Sequence, residues 1–352
     1  MRSFANMRSV PVDARGTYSA AFMLEHFFPR SGVIQGLKAR AREKIIDGVQ
    51  RGGKGEVIPV TRVRSLDPEE FHAKYLSQGM PVLIENGARD WPLMQRWTFE
   101  NFRARYGHET IKLVQRKGLS DDDWVDEREY SEELRFDAFL DQALHGGRKY
   151  MRFSPLLEKF PELLGDFDHE YFKRMVRNRW GMAFQLFIGA TGTFTPLHNA
   201  ITPFFFLNVR GVKRWALIPT QYLAVLNPAA DGFGYNHSGA DMSLSNTGEF
   251  PGIDCIDRFE AVMQSGDLLY VPSWMWHSVQ NESPTIGVRC GFVYPRGMVA
   301  ESFTLAMVRL FAARNPTMLE WLYYSLVKTN LPQRERLLIT PRWWIRRGQP
   351  GA

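Results

Sequence analysis

His198 and His277 are the residues of this chain best suited to hold a metal, and Lys213 lies between them in sequence. An imidazole pair is two thirds of a non-haem iron donor set, which takes two histidines and one carboxylate. Such centres commonly write their first two ligands as His-x-Asp. Here the run Thr195-Pro-Leu-His-Asn-Ala200 supplies the histidine and puts alanine at the carboxylate position. His277 stands 79 positions after His198, so no single helix joins them, whereas a rolled sheet can. Taken alone, each histidine has a plainer reading as a hydrogen-bonded barrel residue. Lys213 follows the turn Arg210-Gly-Val212. An ammonium among apolar neighbours is costly unless it meets an anion. A chelating dicarboxylate would supply that charge; a lysine snorkelling to the surface beside the turn is the plainer reading.

The elements that must position these residues are short strands. From Gly181 the chain runs in aromatic-rich segments separated by turn residues: 183–188, 204–209, 214–218, 268–271, 276–279 and 286–294. That spacing predicts an antiparallel sandwich or barrel. His198 falls in a turn before one strand, and His277 opens another. Upstream, 57–63 and 81–84 read as strands, and Ser65 as the cap of a helix whose first turn is acidic. Residues 97–106 read as helix and 111–114 as strand. Asp121 to Glu129 reads as a surface loop, and Ser131 as the cap of a helix over 132–143.

The flanks are helical. Residues 17–50 carry one apolar stripe at Ala20, Met23, Phe27 and Phe28, and another at Ile34, Leu37, Ile45 and Ile46, before the break Arg51-Gly-Gly-Lys-Gly55. Beyond Pro295, residues 296–330 read as two helices separated near Asn315-Pro316, followed by a basic tail. The division expected is therefore a basic helical extension over 1–56, a barrel over 57–295, and a helical extension with its tail over 296–352.

Composition narrows the class. Apolar residues are 44% and aromatic residues 13% of 352, enough for a large core and unlike a disordered chain. The formal charge of +6 is mildly basic. Two cysteines, Cys255 and Cys290, exclude a disulfide framework or a Cys-rich zinc site, and a reducing cytoplasm is the expected compartment. Residues 303–327 are interrupted by Arg309, Arg314 and Pro316, so no membrane-spanning segment is expected.

Four pieces in series now carry a resemblance. They are Pro81-Val-Leu-Ile84 with Asp90-Trp-Pro92 and Trp97-Thr98; Gly192-Thr-Phe-Thr-Pro-Leu-His198; Asn208-Val-Arg-Gly-Val-Lys-Arg-Trp215; and Gly266-Asp-Leu-Leu-Tyr-Val-Pro272 with Trp274-Met-Trp-His277. Together they resemble the cupin-like JmjC family of iron(II)/2-oxoglutarate oxygenases, especially its asparaginyl hydroxylase branch, over residues 57–295. The resemblance implies a double-stranded β-helix, or jelly roll, within a mainly β chain with helical flanks. It implies Fe(II) on His198 and His277. It also implies 2-oxoglutarate with its distal carboxylate on Lys213, the Thr195 hydroxyl alongside, and Tyr150 touching the same carboxylate. The implied reaction is hydroxylase-type oxidation of an unidentified substrate, with release of succinate and CO2.

Three positions depart from the family pattern. Ala200 replaces the Asp ligand, and Phe204 and Gly291 replace polar asparagines near the cosubstrate. Three readings of Ala200 stay open. Water, or an acid such as Asp231 or Asp241, completes the shell of an oxygenase. Chloride takes the open position, as in the His-x-Ala halogenases. Or the barrel is a binding module without catalysis. A further alternative brings His237 in as a third nitrogen ligand, although a solvent-exposed loop histidine is its plainer reading. An aromatic wall of Phe204, Phe206, Trp215, Trp274 and Trp276 is expected around the pocket. Family resemblance implies a homodimer through the C-terminal helices. The basic flanks and Arg342-Trp-Trp-Ile-Arg-Arg347 would suit an anionic surface or an acidic partner. The substrate, a protein side chain or a small molecule, is not specified by these residues.

Overall fold

The computed structural model describes residues 7–113, 132–177, 182–230 and 236–311, apart from positions 148, 155, 243 and 245. The acidic run 121–129, the acid Asp231 and everything from residue 312, including the basic tail, lie outside the described residues. Fourteen strands lie among the described residues. They are β1 (Val57–Pro59), β2 (Thr61–Val63), β3 (Val82–Ile84), β4 (Thr110–Leu113), β5 (Glu132–Arg135), β6 (Tyr150–Ser154), β7 (Ala183–Gly189), β8 (Phe194–His198), β9 (Phe204–Arg210), β10 (Lys213–Ile218), β11 (Arg258–Met263), β12 (Leu268–Val271), β13 (Trp276–Asn281) and β14 (Thr285–Gly291).

A five-stranded sheet in the order β1-β11-β10-β13-β8 faces a seven-stranded sheet in the order β2-β3-β12-β9-β14-β7-β6. Pairing is antiparallel except for β1 with β11 and β2 with β3. This is a jelly-roll barrel. Its strands are buried on both faces where helices cover the outside, so β9 and β12 are apolar without alternation. Alternation returns in β11, where Phe259, Ala261 and Met263 are buried and Arg258, Glu260 and Val262 are half-buried.

The flanking helices close the ends. The first, α1 (Val12–Phe27), buries Ala14, Tyr18, Ala21 and Phe22; Ala20, Phe27 and Phe28 are exposed, so the buried face lies on the opposite side of the helix from Ala20 and Phe27. The second, α2 (Gly32–Arg51), buries Ala41, Ile45, Ile46 and Val49. Both join the barrel core. The glycine-rich break after α2 is held in place. Arg8 donates through its guanidinium to Gly53 and Lys54 carbonyls, and its own N–H donates to Asp257 at 2.6 Å.

Several local readings change. Asp67, not Ser65, caps the helical turn Pro68–Glu70, accepting from Glu69 and Glu70 N–H groups. Trp97 ends one short helix, and Thr98 caps the next, α3 (Phe99–Tyr106). Residues 132–135 are strand β5, paired with β4, and the helix α4 starts only at Phe136 and runs to Leu144. His198 ends β8 rather than sitting in a turn. Pro196 is tolerated there because β8 is an edge strand, where a missing N–H breaks no ladder. After the barrel, α5 (Pro295–Ala300) and α6 (Phe303–Leu310) are separated at Glu301-Ser302. Ser302 caps α6 by accepting from Leu305 N–H. None of the described helices is long and apolar enough to cross a membrane.

Candidate active site

The antiparallel pair β8 and β13 puts His198 directly opposite His277. Their rings lie 4.1 Å apart between centroids. Each imidazole is tied by the same device: Nδ1 of His198 meets the Pro196 carbonyl at 2.8 Å, and Nδ1 of His277 meets the Met275 carbonyl at 2.8 Å. A carbonyl only accepts, so Nδ1 carries the proton and Nε2 keeps its lone pair for a metal. Burial holds both rings neutral. It pushes His198 down to about 4 against the opposing Pro196 bond, and lowers His277 well below its usual value.

The other end of the cavity is a closed polar knot. Lys213 is fully buried, and desolvation alone lowers its pKa to about 7. Its ammonium donates to Asn281 Oδ1 at 2.5 Å and to the Tyr150 phenol at 3.3 Å. It also lies 5.3 Å and 5.4 Å from the Tyr150 and Phe206 ring centroids. Asn281 accepts again from the Thr285 hydroxyl at 3.0 Å and donates to Thr193 Oγ1 at 2.8 Å. Thr195 and Asn281 side chains both hydrogen-bond the Tyr150 phenol, whose pKa burial nevertheless raises to about 12. A side chain at Gly189 would collide with Asn281, Thr193 and Tyr150, so glycine leaves the space this knot fills. Lys213, Tyr150 and Thr195 are therefore brought together. Asn281, Thr193 and Thr285 were not singled out from sequence. The available signal was alternation: Asn281 lies four positions after His277 on one strand and shares its face.

Between the two ends stand Phe204, Phe206 and Trp215. The Phe204 ring is 5.4 Å and the Trp215 ring 5.8 Å from His277. Trp274 does not belong to this wall. Its indole donates to the Met298 carbonyl on α5 and its backbone N–H to the Ala200 carbonyl, each at 2.7 Å. Trp276 is fully buried and, one residue before His277, alternates away from the cavity.

The remaining candidates fall differently. Ala200 is partly buried against the core and presents only a methyl group. Asp241 borders a groove of about 380 Å³ beside Arg214, Glu260 and Gln280, side chains that alternate away from the barrel interior. His237 is not a solvent-exposed loop residue: it forms an antiparallel bridge with His198, the rings 6.3 Å apart. Burial pushes it down to about 2. Among the described residues, no three His, Cys, Asp or Glu side chains gather closely enough to hold a metal.

An iron(II)/2-oxoglutarate pair can be tested against this donor set. Two neutral imidazoles with fixed tautomers suit a divalent metal, and a buried ammonium in a cradle of hydroxyls suits a carboxylate. The residues fit an iron chelated jointly by two histidines and a 2-oxo acid. They do not supply the carboxylate ligand of the full triad.

A jelly-roll barrel with paired imidazoles at one end and a buried lysine at the other has the architecture of a cupin. Comparison with known proteins gives the family: residues 68–294 match the cupin-like domain, and the chain belongs to that family. Its relatives are JmjC proteins. Jumonji C domain-containing protein 5 of Drosophila melanogaster is 24% identical over 65% of this chain and 61% of its own length. Lysine-specific demethylase JMJ30 of Arabidopsis thaliana is 25% identical over 65% and 53%. Lysine-specific demethylase 8 of Xenopus tropicalis is 24% identical over 63% and 50%. The chain thus spans about half to three fifths of these relatives.

Proposed function

We propose that this protein is an iron(II)/2-oxoglutarate-dependent oxygenase that oxidises a substrate C–H bond and releases succinate and CO2. The observation that carries this reading is the fully buried Lys213, an ammonium facing hydroxyl and amide groups along the cavity from two tautomer-locked histidines. Family membership supports it. Bound iron and cosubstrate would supply oxygen activation coupled to oxidative decarboxylation.

The chain's own residues divide the remaining work. Lys213, with Tyr150 and Thr195 beside it, binds the distal carboxylate and sets the depth to which the cosubstrate enters. His198 and His277 hold the metal through Nε2 while their Nδ1 protons stay on backbone carbonyls. Phe204, Phe206 and Trp215 keep bulk water away from the space between. Ala200 would offer a bound metal no donor atom. Halogenation through a halide at that position gains no support from the relatives, whose names speak of demethylases and JmjC proteins.

The test is an anaerobic titration of the protein with iron(II) and 2-oxoglutarate. A weak visible charge-transfer band that needs both components is expected. No band, with no binding of either component, leaves a barrel that binds without catalysing. Halide-dependent succinate formation would instead favour halogenation.

A further inference from the structure

Trp215 stands in the aromatic wall of the cavity, yet it carries a polar group that the wall does not use. The register of β10 on β13 sets three rows across the inner face: Lys213 opposite Asn281, Trp215 opposite Val279, and Leu217 opposite His277. The neighbouring strand β8 adds Thr195 to the middle row and His198 to the last. Trp215 therefore lies between the lysine socket and the histidine pair. Its ring runs nearly parallel to that of His277, at 28° and 5.8 Å between centroids.

On this face Lys213 and Asn281 are satisfied within the polar knot, and Thr195 bonds the Tyr150 phenol. The Trp215 side chain is only 2% exposed, and its indole Nε1–H is buried without an acceptor. Across the cavity stand the Phe206 ring, edge-on at 5.0 Å, and the Phe204 ring at 6.4 Å. They offer π faces, which are second-order acceptors. A buried donor left without an acceptor costs stability, and a ligand that supplies one offsets that cost. An anionic oxygen is the strongest such acceptor. An acid anchored on Lys213 and reaching toward the histidines passes the indole on its way.

We propose that Trp215 is a specificity-determining residue whose indole N–H donates to the second carboxylate of a diacid anchored at Lys213. Naming that diacid as 2-oxoglutarate rests on the oxygenase reading. The capture of a second carboxylate by Trp215 does not.

The test uses the full chain, first stripped of metal and titrated with glutarate and with butyrate. Both carry the carboxylate that Lys213 would hold, and only glutarate carries a second one. Glutarate is expected to bind the wild type at least tenfold more tightly. Trp215→Phe, which keeps a ring and removes the N–H, should cut that preference below threefold and leave butyrate affinity within twofold. Nuclear magnetic resonance reads the donor directly. Of the ten tryptophan indole N–H signals, one should move downfield with glutarate and stay in place with butyrate. That signal should vanish in Trp215→Phe, or in Trp215→Tyr if the phenylalanine variant does not fold. With zinc-loaded protein, N-oxalylglycine, an isostere of 2-oxoglutarate that is not decarboxylated, should bind Trp215→Phe at least tenfold more weakly than wild type. The proposal is overturned by a wild type that does not prefer glutarate, by a preference that survives Trp215→Phe, or by a Trp215 signal that glutarate leaves unmoved. Equal losses of glutarate and butyrate in Trp215→Phe overturn it too, since they would assign the indole to the shape of the socket. Failure of N-oxalylglycine to bind the zinc-loaded wild type would count against the oxygenase reading alone, because the glutarate comparison on metal-free protein still decides the role of Trp215.

Discussion

The two ends of the barrel cavity solve opposite problems with the same strands. At the Lys213 end, every polar side chain described above meets another: the lysine with Asn281 and Tyr150, the asparagine with Thr193 and Thr285, the phenol with Thr195. At the histidine end, each imidazole uses one nitrogen on the backbone carbonyl two residues before it and leaves the other for a ligand, and position 200 offers only a methyl group. The closed end is a socket whose shape is complete without its guest. The open end is a donor set that only added ligands can complete. Preorganisation of one end and openness of the other is what a two-component site needs: the cosubstrate is fixed first, and chemistry then varies at the mouth.

The strongest way to break this contrast is to remove the buried charge. In Lys213→Met, N-oxalylglycine binding should weaken by about 100-fold, because a charge pair across a desolvated contact is worth on the order of 3 kcal/mol. The unliganded protein should be more stable by roughly 1–3 kcal/mol, and so melt at a higher temperature, since a buried ammonium without a carboxylate opposes folding. Calorimetric titration and thermal melts measure the two effects. A variant that binds normally would show that the lysine is structural.

The open end responds to addition rather than removal. Ala200→Asp should supply the missing carboxylate and raise Co(II) affinity at least tenfold, about 1.4 kcal/mol, read from the absorption of the bound metal. His277→Ala in the same background should erase that gain. An unchanged affinity in Ala200→Asp would mean that His198 and His277 are a structural pair, not a metal site.

The two ends also differ in their response to pH. Lys213 has its pKa lowered by burial to about 7 from 10.5. The folded state therefore sheds its proton near pH 7, while the unfolded state keeps one up to about 10. Between those values the unfolded chain binds more protons, so the unliganded protein gains stability as pH rises, by up to about 1.4 kcal/mol per unit. A bound carboxylate reverses the preference by favouring the ammonium. N-oxalylglycine binding should take up a proton and weaken by as much as tenfold per unit above pH 7. Titration in buffers of different ionisation enthalpy checks the proton uptake. Affinity independent of pH from 7 to 9 would place another cation in the socket.

How much of this was legible in sequence follows from which forces set each part. The strands from 183 to 291 were readable because apolar runs and turn residues mark them locally, although β8, β11 and the register of β13 were not. His198 and His277 could be paired as candidates, but their facing geometry depends on strands 79 positions apart. Glu132 to Arg135 looks like the acidic first turn of a helix. It is a strand because Thr110 to Leu113 lies beside it, a case of pairing overriding local propensity. The polar side of Trp215 was invisible for a different reason. A tryptophan in a strand reads as apolar wall, and only the rows that β10 and β13 form together reveal that its indole N–H is buried without an acceptor.

The smallest expected effect lies inside the closed end and asks how finely the socket is tuned. The Tyr150 phenol receives the Lys213 ammonium at 3.3 Å, longer than the 2.5 Å contact to Asn281, and it shares Thr195. Tyr150→Phe keeps the ring and its cation–π contact at 5.3 Å and deletes only the hydroxyl. Lys213 retains Asn281, so the unliganded protein should lose only about 0.5–1.5 kcal/mol. Thr195 and Asn281 each lose a partner beside the cosubstrate, and N-oxalylglycine affinity should fall about threefold to tenfold for one hydrogen bond of that strength. A loss as large as that of Lys213→Met would mean that the phenol, not the ammonium, is the principal partner of the carboxylate. The closed end would then have to be reassigned around Tyr150, with Lys213 reduced to holding Asn281 in place.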